Sequence, residues 1–132
     1  MEIVAALFVE NFNFRQVAGP STRIDITGAY FSTAFPAFPA RHEPHLMVLL
    51  RCPPGHAGTG TLETKVTRDG EQIAFNRQDF AIEPGKFGYR LVKVEIEFPE
   101  PGTVEAACST GDGPVITVPL TALAGEAEAT GH

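Results

Sequence analysis

This sequence predicts an all-β chain: an antiparallel two-sheet β-sandwich, immunoglobulin-like in the broad sense, with eight or nine strands. Three observations predict it. Apolar residues alternate with a period of two in one short run after another. Turn residues separate those runs, with 13 Gly and 11 Pro falling mostly between them. No window has the 3.6-residue apolar spacing of a packed helix.

The clearest part is the C-terminal third. Tyr89–Phe98 reads as one long strand, closed by Pro99-Glu100-Pro101-Gly102. Thr103–Cys108 comes next with Val104, Ala106 and Cys108 on one face, and Gly111-Asp112-Gly113 turns the chain into Pro114–Leu120. Within 89–98, Tyr89 and Leu91 share one parity while Val92, Val94, Ile96 and Phe98 share the other. That predicts a bulge or a change of sheet near Leu91–Val92.

Taken from the start, Ile3, Ala5, Leu7 and Val9 alternate with Val4, Ala6 and Phe8, so the first strand is apolar on both faces. Such a strand is central in its sheet or covered by something else. Asn11–Phe14 reads as a turn or irregular piece. Thr22–Phe31 is a strand whose Gly28 suggests a bulge or a close backbone approach. Residues 32–44 hold Pro36, Pro39 and Pro44, which exclude a helix or an interior strand and leave an extended connection carrying Phe35 and Phe38.

His45–Cys52 is strongly apolar on both parities, as a central strand is. Residues 53–60 form an open loop, and Leu62, Thr64 and Val66 alternate with polar residues on a half-exposed strand. Asp69-Gly70 makes a tight hairpin into Glu71–Phe75, with Ile73 and Phe75 expected to point inward; Phe80 and Ile82 mark a further short strand. One domain, 1–123, accounts for these strands, and 124–132 reads as a flexible acidic tail.

The net charge of −6, with ten scattered Lys and Arg, argues against a nucleic-acid surface. No run approaches the ~20 apolar residues of a membrane span, so no membrane partner is expected. The N-terminal residues lack the basic n-region of a signal peptide. A cytoplasmic protein with Cys52 and Cys108 reduced is the expectation.

Phe80-x-Ile82-x-Pro84-Gly85, Tyr89-Arg90, the Pro-Glu-Pro-Gly turn and Val118-Pro119-Leu120 form a run, to which Ala6–Asn11 and Ile26–Tyr30 add. That run resembles small bacterial proteins known only as a domain of unknown function. The resemblance covers most of the chain and implies an Ig-like sandwich, but it carries over no catalytic residue.

Residues with chemistry are sparse. Cys52 and Cys108 end inward-facing sets on separate strands and read as small core residues, with no Trp to pack on a bridge between them. His42, His45 and His56 are weak metal candidates. Pro44 denies the first two a helix that would align them, and no cofactor is expected. Asp69, Glu100 and Asp112 lie in turn sequences. No catalytic set converges. Phe35 and Phe38, together with the two-faced strand that holds Phe8, are the interface candidates, although the two loop rings have a second reading as caps on an open end of the sandwich. The sequence thus favours a non-catalytic interaction or assembly module that binds a protein or itself. The first alternative is a small-ligand or carbohydrate-binding module using loop aromatics and Tyr30 or Tyr89 as platforms, and the third reading is a metal-dependent enzyme built on His42, His45, His56 and Cys52.

Overall fold

Period-two patterning becomes strand throughout. A computed structural model describes residues 1–19 and 21–125, and within them the chain forms eleven strands and no helix. They are β1 (Glu2–Val17), β2 (Ser21–Tyr30), β3 (Ser32–Phe35), β4 (Ala40–His42), β5 (His45–Arg51), β6 (Thr59–Arg68), β7 (Glu71–Ala81), β8 (Phe87–Lys93), β9 (Ile96–Phe98), β10 (Gly102–Ser109) and β11 (Ile116–Ala124). The excess over eight or nine comes from the short strands β3, β4 and β9. Of the acidic tail, 126–132 lie outside the described residues, while Ala124 ends β11 and the Gly125 N–H donates to the Phe35 carbonyl at 3.1 Å.

Two larger sheets, in the orders β2-β1-β5-β8 and β3-β11-β10-β6-β7, face each other, and β4 and β9 form a small ribbon. The pairings are antiparallel except that β3 runs parallel to β11. Phe8, Leu46, Val48, Leu50 and Val92 from the first sheet share one core with Leu62, Val66, Val104, Ala106 and Leu120 from the second. This is the two-layer solution for sheets with one apolar face each. Thr64 is buried among them and donates to Cys108 Sγ at 3.9 Å.

Four departures from the sequence reading have clear physical causes. Asn11–Phe14 is not a turn, because β1 runs unbroken for 16 residues and pairs with β2 as far as Val17↔Ser21. The 32–44 connection is extended, yet it finds two edges: Ser32–Phe35 lies along β11 and Ala40–His42 along β9. Residues 71–81 form one strand rather than two, with a register shift opposite Val66/Thr67 that leaves Ile73 unpaired. That bulge lets Ile73 and Ala74 both meet the core and turns Phe75 outward, 47% exposed, where inward burial was expected. Finally, the run 89–98 divides into β8 and β9. Gly88, Arg90 and Val92 keep one parity against β5, so the change of sheet comes after Lys93 and not at Leu91–Val92.

Asp69 (φ 52°) and Gly70 (φ 81°) are both left-handed, as a two-residue hairpin turn of the primed type requires.

Candidate functional site

β1 is more than twice as long as its neighbour β5, and the surplus builds the main surface feature. Glu2–Val9 pairs with β5, whereas Phe8–Val17 pairs with β2. Beyond Val9 the hairpin has no β5 to follow, and it folds back over the outer face of its own sheet. Phe12 meets His45 edge-on at 5.5 Å between ring centroids, and Phe14 meets Tyr89 at 4.9 Å. Gly28 lies at the bend with φ +67°, and the Glu10 side chain lies so close that a Cβ there would be 2.0 Å from Oε1.

The arm explains a burial that parity alone does not. Val9 and Met47 pair across the sheet with His45 and Leu7 and point away from the sandwich core, yet both are only 1% exposed. Neither belongs to the main core cluster. The folded-back hairpin covers them, so the sheet is apolar on both faces because both faces are packed.

Cover is incomplete toward the other end. Between the arm and the sheet a trough of ≈ 610 Å³ remains, with Val4 and Leu49 on the sheet, Thr22 and Ile24 on the arm, and Phe87 and Tyr89 on β8. Val4 is the residue at the register shift between Ile3 and Ala5. It is 52% exposed, and Phe87 is 69% exposed. Exposed apolar side chains that collect in one concavity mark an interaction surface more often than a chance of composition. At the trough's end, Ile82 lies against Gly88, where a Cβ would stand 2.7 Å from it. The charged groups there are Glu83, Lys86 and Arg90.

A second, polar cleft of ≈ 330 Å³ opens where β2 passes to β3 and β4 to β5, lined by Glu10, Tyr30, Ser32, Thr33, His42 and His45. The Tyr30 hydroxyl lies 2.9 Å from His42 Nε2. Burial pushes the Tyr30 phenol pKa up, and the Glu10 carboxylate adds to that. Burial moves His42 the other way, below the usual imidazole value.

The residues singled out from the sequence are dispersed. Phe8 is a core residue with no exposed surface, since its parity in β1 faces the second sheet; it has none to offer a partner in this fold. Phe35 and Phe38 are half-buried and pack on each other at 5.9 Å, with Phe35 also 5.9 Å from Phe98. His42 and His45 line the polar cleft, while His56 is at the other end of the sandwich, 2.9 Å from Asp112. Among the described residues no group of three or more His, Cys, Asp or Glu is placed to hold a metal ion. Cys52 and Cys108 are buried free thiols, and burial raises the Cys108 pKa. Tyr89 packs its ring on Phe14, and Tyr30 is tied to His42. No helix among the described residues is long and apolar enough to cross a membrane.

Sequence reasoning missed Val4, Ile24, Leu49 and Phe87. A signal was present: the first strand is apolar on both faces, and Phe87, Tyr89 and Leu91 share the outer parity of β8. What hid the trough was the length of β1, because reading Asn11–Phe14 as a turn ended the strand before its arm began. No protein-family model and no curated protein matches the chain.

Proposed function

We propose that this chain is a non-catalytic β-sandwich interaction module that engages a protein partner through the apolar trough under its β1–β2 arm. One observation carries the reading: Val4, Ile24, Leu49, Phe87 and Tyr89 line a concavity that the arm shelters without filling. A residue as large as Phe87 left mostly exposed costs solubility, and an interface is the ordinary reason for keeping one. An immunoglobulin-like arrangement is part of the proposal. The sheet order β3-β11-β10-β6-β7, the facing pair β5-β8 and the parallel edge strand β3 support it, as does the location of Cys52 just past the end of β5 and of Cys108 within β10 of the opposite sheet. The two buried free thiols are compatible with a cytoplasmic setting.

Site-specific photocrosslinking in cells tests the reading. A benzophenone side chain at Phe87 is expected to capture a discrete partner, or a second copy if the module self-assembles. The same group at Phe75, exposed on the other sheet, is expected to capture none. Equal or absent capture at the two positions sinks the proposal. A Val4→Ser/Phe87→Ser variant that stays folded is expected to lose the partner.

The polar cleft favours a second reading, a small-ligand or carbohydrate module, since hydroxyls, imidazoles and the two carboxylates of Glu10 and Glu43 line it around Tyr30. Thermal shifts against a sugar panel test it, because a specific ligand raises Tm by mass action.

A further inference from the structure

We infer that the trough's partner is an extended protein segment that joins the free edge of β2 as an added strand, with apolar side chains turned into the trough and an Asp or Glu beside Arg23 on the opposite face. This rests on the interaction reading above and names the mode of binding and the chemistry of what binds.

β2 is an edge of its sheet, ten residues long, and β1 is the one strand hydrogen-bonded to it among the described residues. In such a pair every second residue turns its N–H and C=O away from the partner. The side-chain hydrogen bonds that involve β2, from Arg15 to Asp25, from Arg23 to Ser21 and between Tyr30 and His42, run between side chains and leave that backbone free. The free edge borders the trough: Thr22 and Ile24 form part of its wall, whereas their register partners on β1, Gln16 and Phe14, do not. The strand across the trough is different. β8 is also an edge, but its carbonyls at Tyr89, Leu91 and Lys93 accept from Arg90, from Gln78 at 2.9 Å and from Asn76 at 3.5 Å. A strand added there would have to displace those side chains, and β2 carries no such guard.

Alternation decides what the added strand carries. Ile24 is paired with Phe14, which packs down on Tyr89, so Thr22 and Ile24 face the sheet while Arg23 and Asp25 face away from it. A strand beside β2 has the same two faces. Its inward side chains meet Val4, Leu49 and Phe87, a wall that suits apolar ones. Its outward side chains meet Arg23. That residue stands directly across from Arg15, a like-charge pair that is unfavourable in a sheet. Asp25 binds Arg15 at 2.7 Å, but among the described residues Arg23 has no carboxylate and donates to the Ser21 hydroxyl at 3.0 Å. An acid on the added strand gives Arg23 what Asp25 gives Arg15. Sites for small ligands enclose roughly 70–90% of their guest's surface. Here Val4 and Phe87 stay half or more exposed, so the trough suits a chain segment better.

Selection of a random peptide library on the full chain is the test, with Arg23→Glu as the charge variant and Val4→Asp/Phe87→Asp as the blocked trough. Each variant is checked for a native thermal transition first. The expected result is a motif in which every second residue is apolar and an Asp or Glu occupies the other parity. N-methylation of the synthetic peptide is expected to weaken binding about tenfold or more at alternate residues and to leave it unchanged between them. Amide exchange in the bound protein should slow at every second residue of β2. Arg23→Glu is expected to replace the acid by Lys or Arg, and the blocked trough to abolish selection. A motif without alternation, a peptide indifferent to N-methylation, or an acid preference unchanged by Arg23→Glu overturns this inference and leaves the interaction reading standing. Selection that survives the blocked trough, or the absence of any enriched motif, overturns both. A homodimer closed through the trough, seen by light scattering and lost in the blocked form, overturns the inference alone.

Discussion

Phe14 packs on Tyr89 with 4.9 Å between ring centroids and a 31° tilt, although β1 and β8 are not neighbours in their sheet. β5 lies between them, so the contact exists only because the hairpin crosses over β5's outer face. It is the clasp of the arm. Phe12 packs on Phe14 at 5.6 Å and on His45 at 5.5 Å, and together these rings hold the arm above Met47 and Val9.

Removing the clasp is expected to loosen the arm without unfolding the sandwich. Phe14→Ala forfeits an aromatic pair worth about 0.5–1.5 kcal/mol, plus part of the cover over Met47. Native-state hydrogen exchange should then accelerate through the outer parts of β1 and β2 while amides of β5, β6 and β10 stay protected. Uniform acceleration in every strand would show instead that the arm is integral to the core.

Gly28 is expected to resist substitution. Its φ of +67° lies where a Cβ is strained, and the Glu10 side chain occupies the space a Cβ would take. Glu10 is exposed and can swing aside, so the backbone strain dominates, and Gly28→Ala should cost about 1–2 kcal/mol in urea denaturation. Glu10→Ala combined with Gly28→Ala should recover little of that loss. Full recovery would place the cost in the side-chain clash.

Patterning encodes which way a side chain faces, and that much of the fold was legible in the sequence. Leu46, Val48 and Leu50, or Val104, Ala106 and Cys108, declare their inward face by alternation alone, and each is buried in the core. Strand length and sheet membership are decided elsewhere. Asn11-Phe12-Asn13-Phe14 has turn-forming composition but is held as strand by nine register pairs between β1 and β2, a non-local cause that the local sequence does not carry. Phe75 left its expected face for a related reason, since the bulge at Ile73 reverses the parity of the residues beyond it. The trough depends on both kinds of information. Its residues were visible as apolar, but the arm that groups them was not.

Asp112 is expected to make stability sensitive to acid. Its carboxylate accepts hydrogen bonds from the Met1 ammonium at 3.0 Å, from Thr110 at 2.9 Å and from His56 at 2.9 Å, in decreasing order of effect, and its pKa falls to about 2. A carboxyl depressed on folding stabilises the native state above its unfolded pKa, ordinarily 3.8. That contribution is lost as pH falls from about 3.8 through about 2. Asp112 is half exposed and solvent screening keeps the effect small, so the comparison with Asp112→Asn is the informative one. Urea midpoints of the wild type should fall toward those of the variant across this window. A gap that stays constant with pH would assign the difference to packing.

His42 is expected to act at milder pH and with the same sense. Burial lowers its pKa below 6.5, so the unfolded chain takes up the proton first as pH falls. The stabilisation is complete above pH 6.5 and declines below it, because protonation in the native state must charge a half-buried ring. Protonation also removes the lone pair at Nε2, so the ring can no longer accept a hydrogen bond from the Tyr30 hydroxyl 2.9 Å away. The His42 ring proton should therefore titrate in NMR with a midpoint below 6.5, and His42→Gln should flatten the stability profile between about pH 7 and pH 5. Tyr30→Phe should cost about 1 kcal/mol near neutral pH, the ordinary worth of one hydrogen bond. A midpoint at or above 6.5 would mean that Glu10 and Glu43, the carboxylates that share the cleft, outweigh burial at this ring.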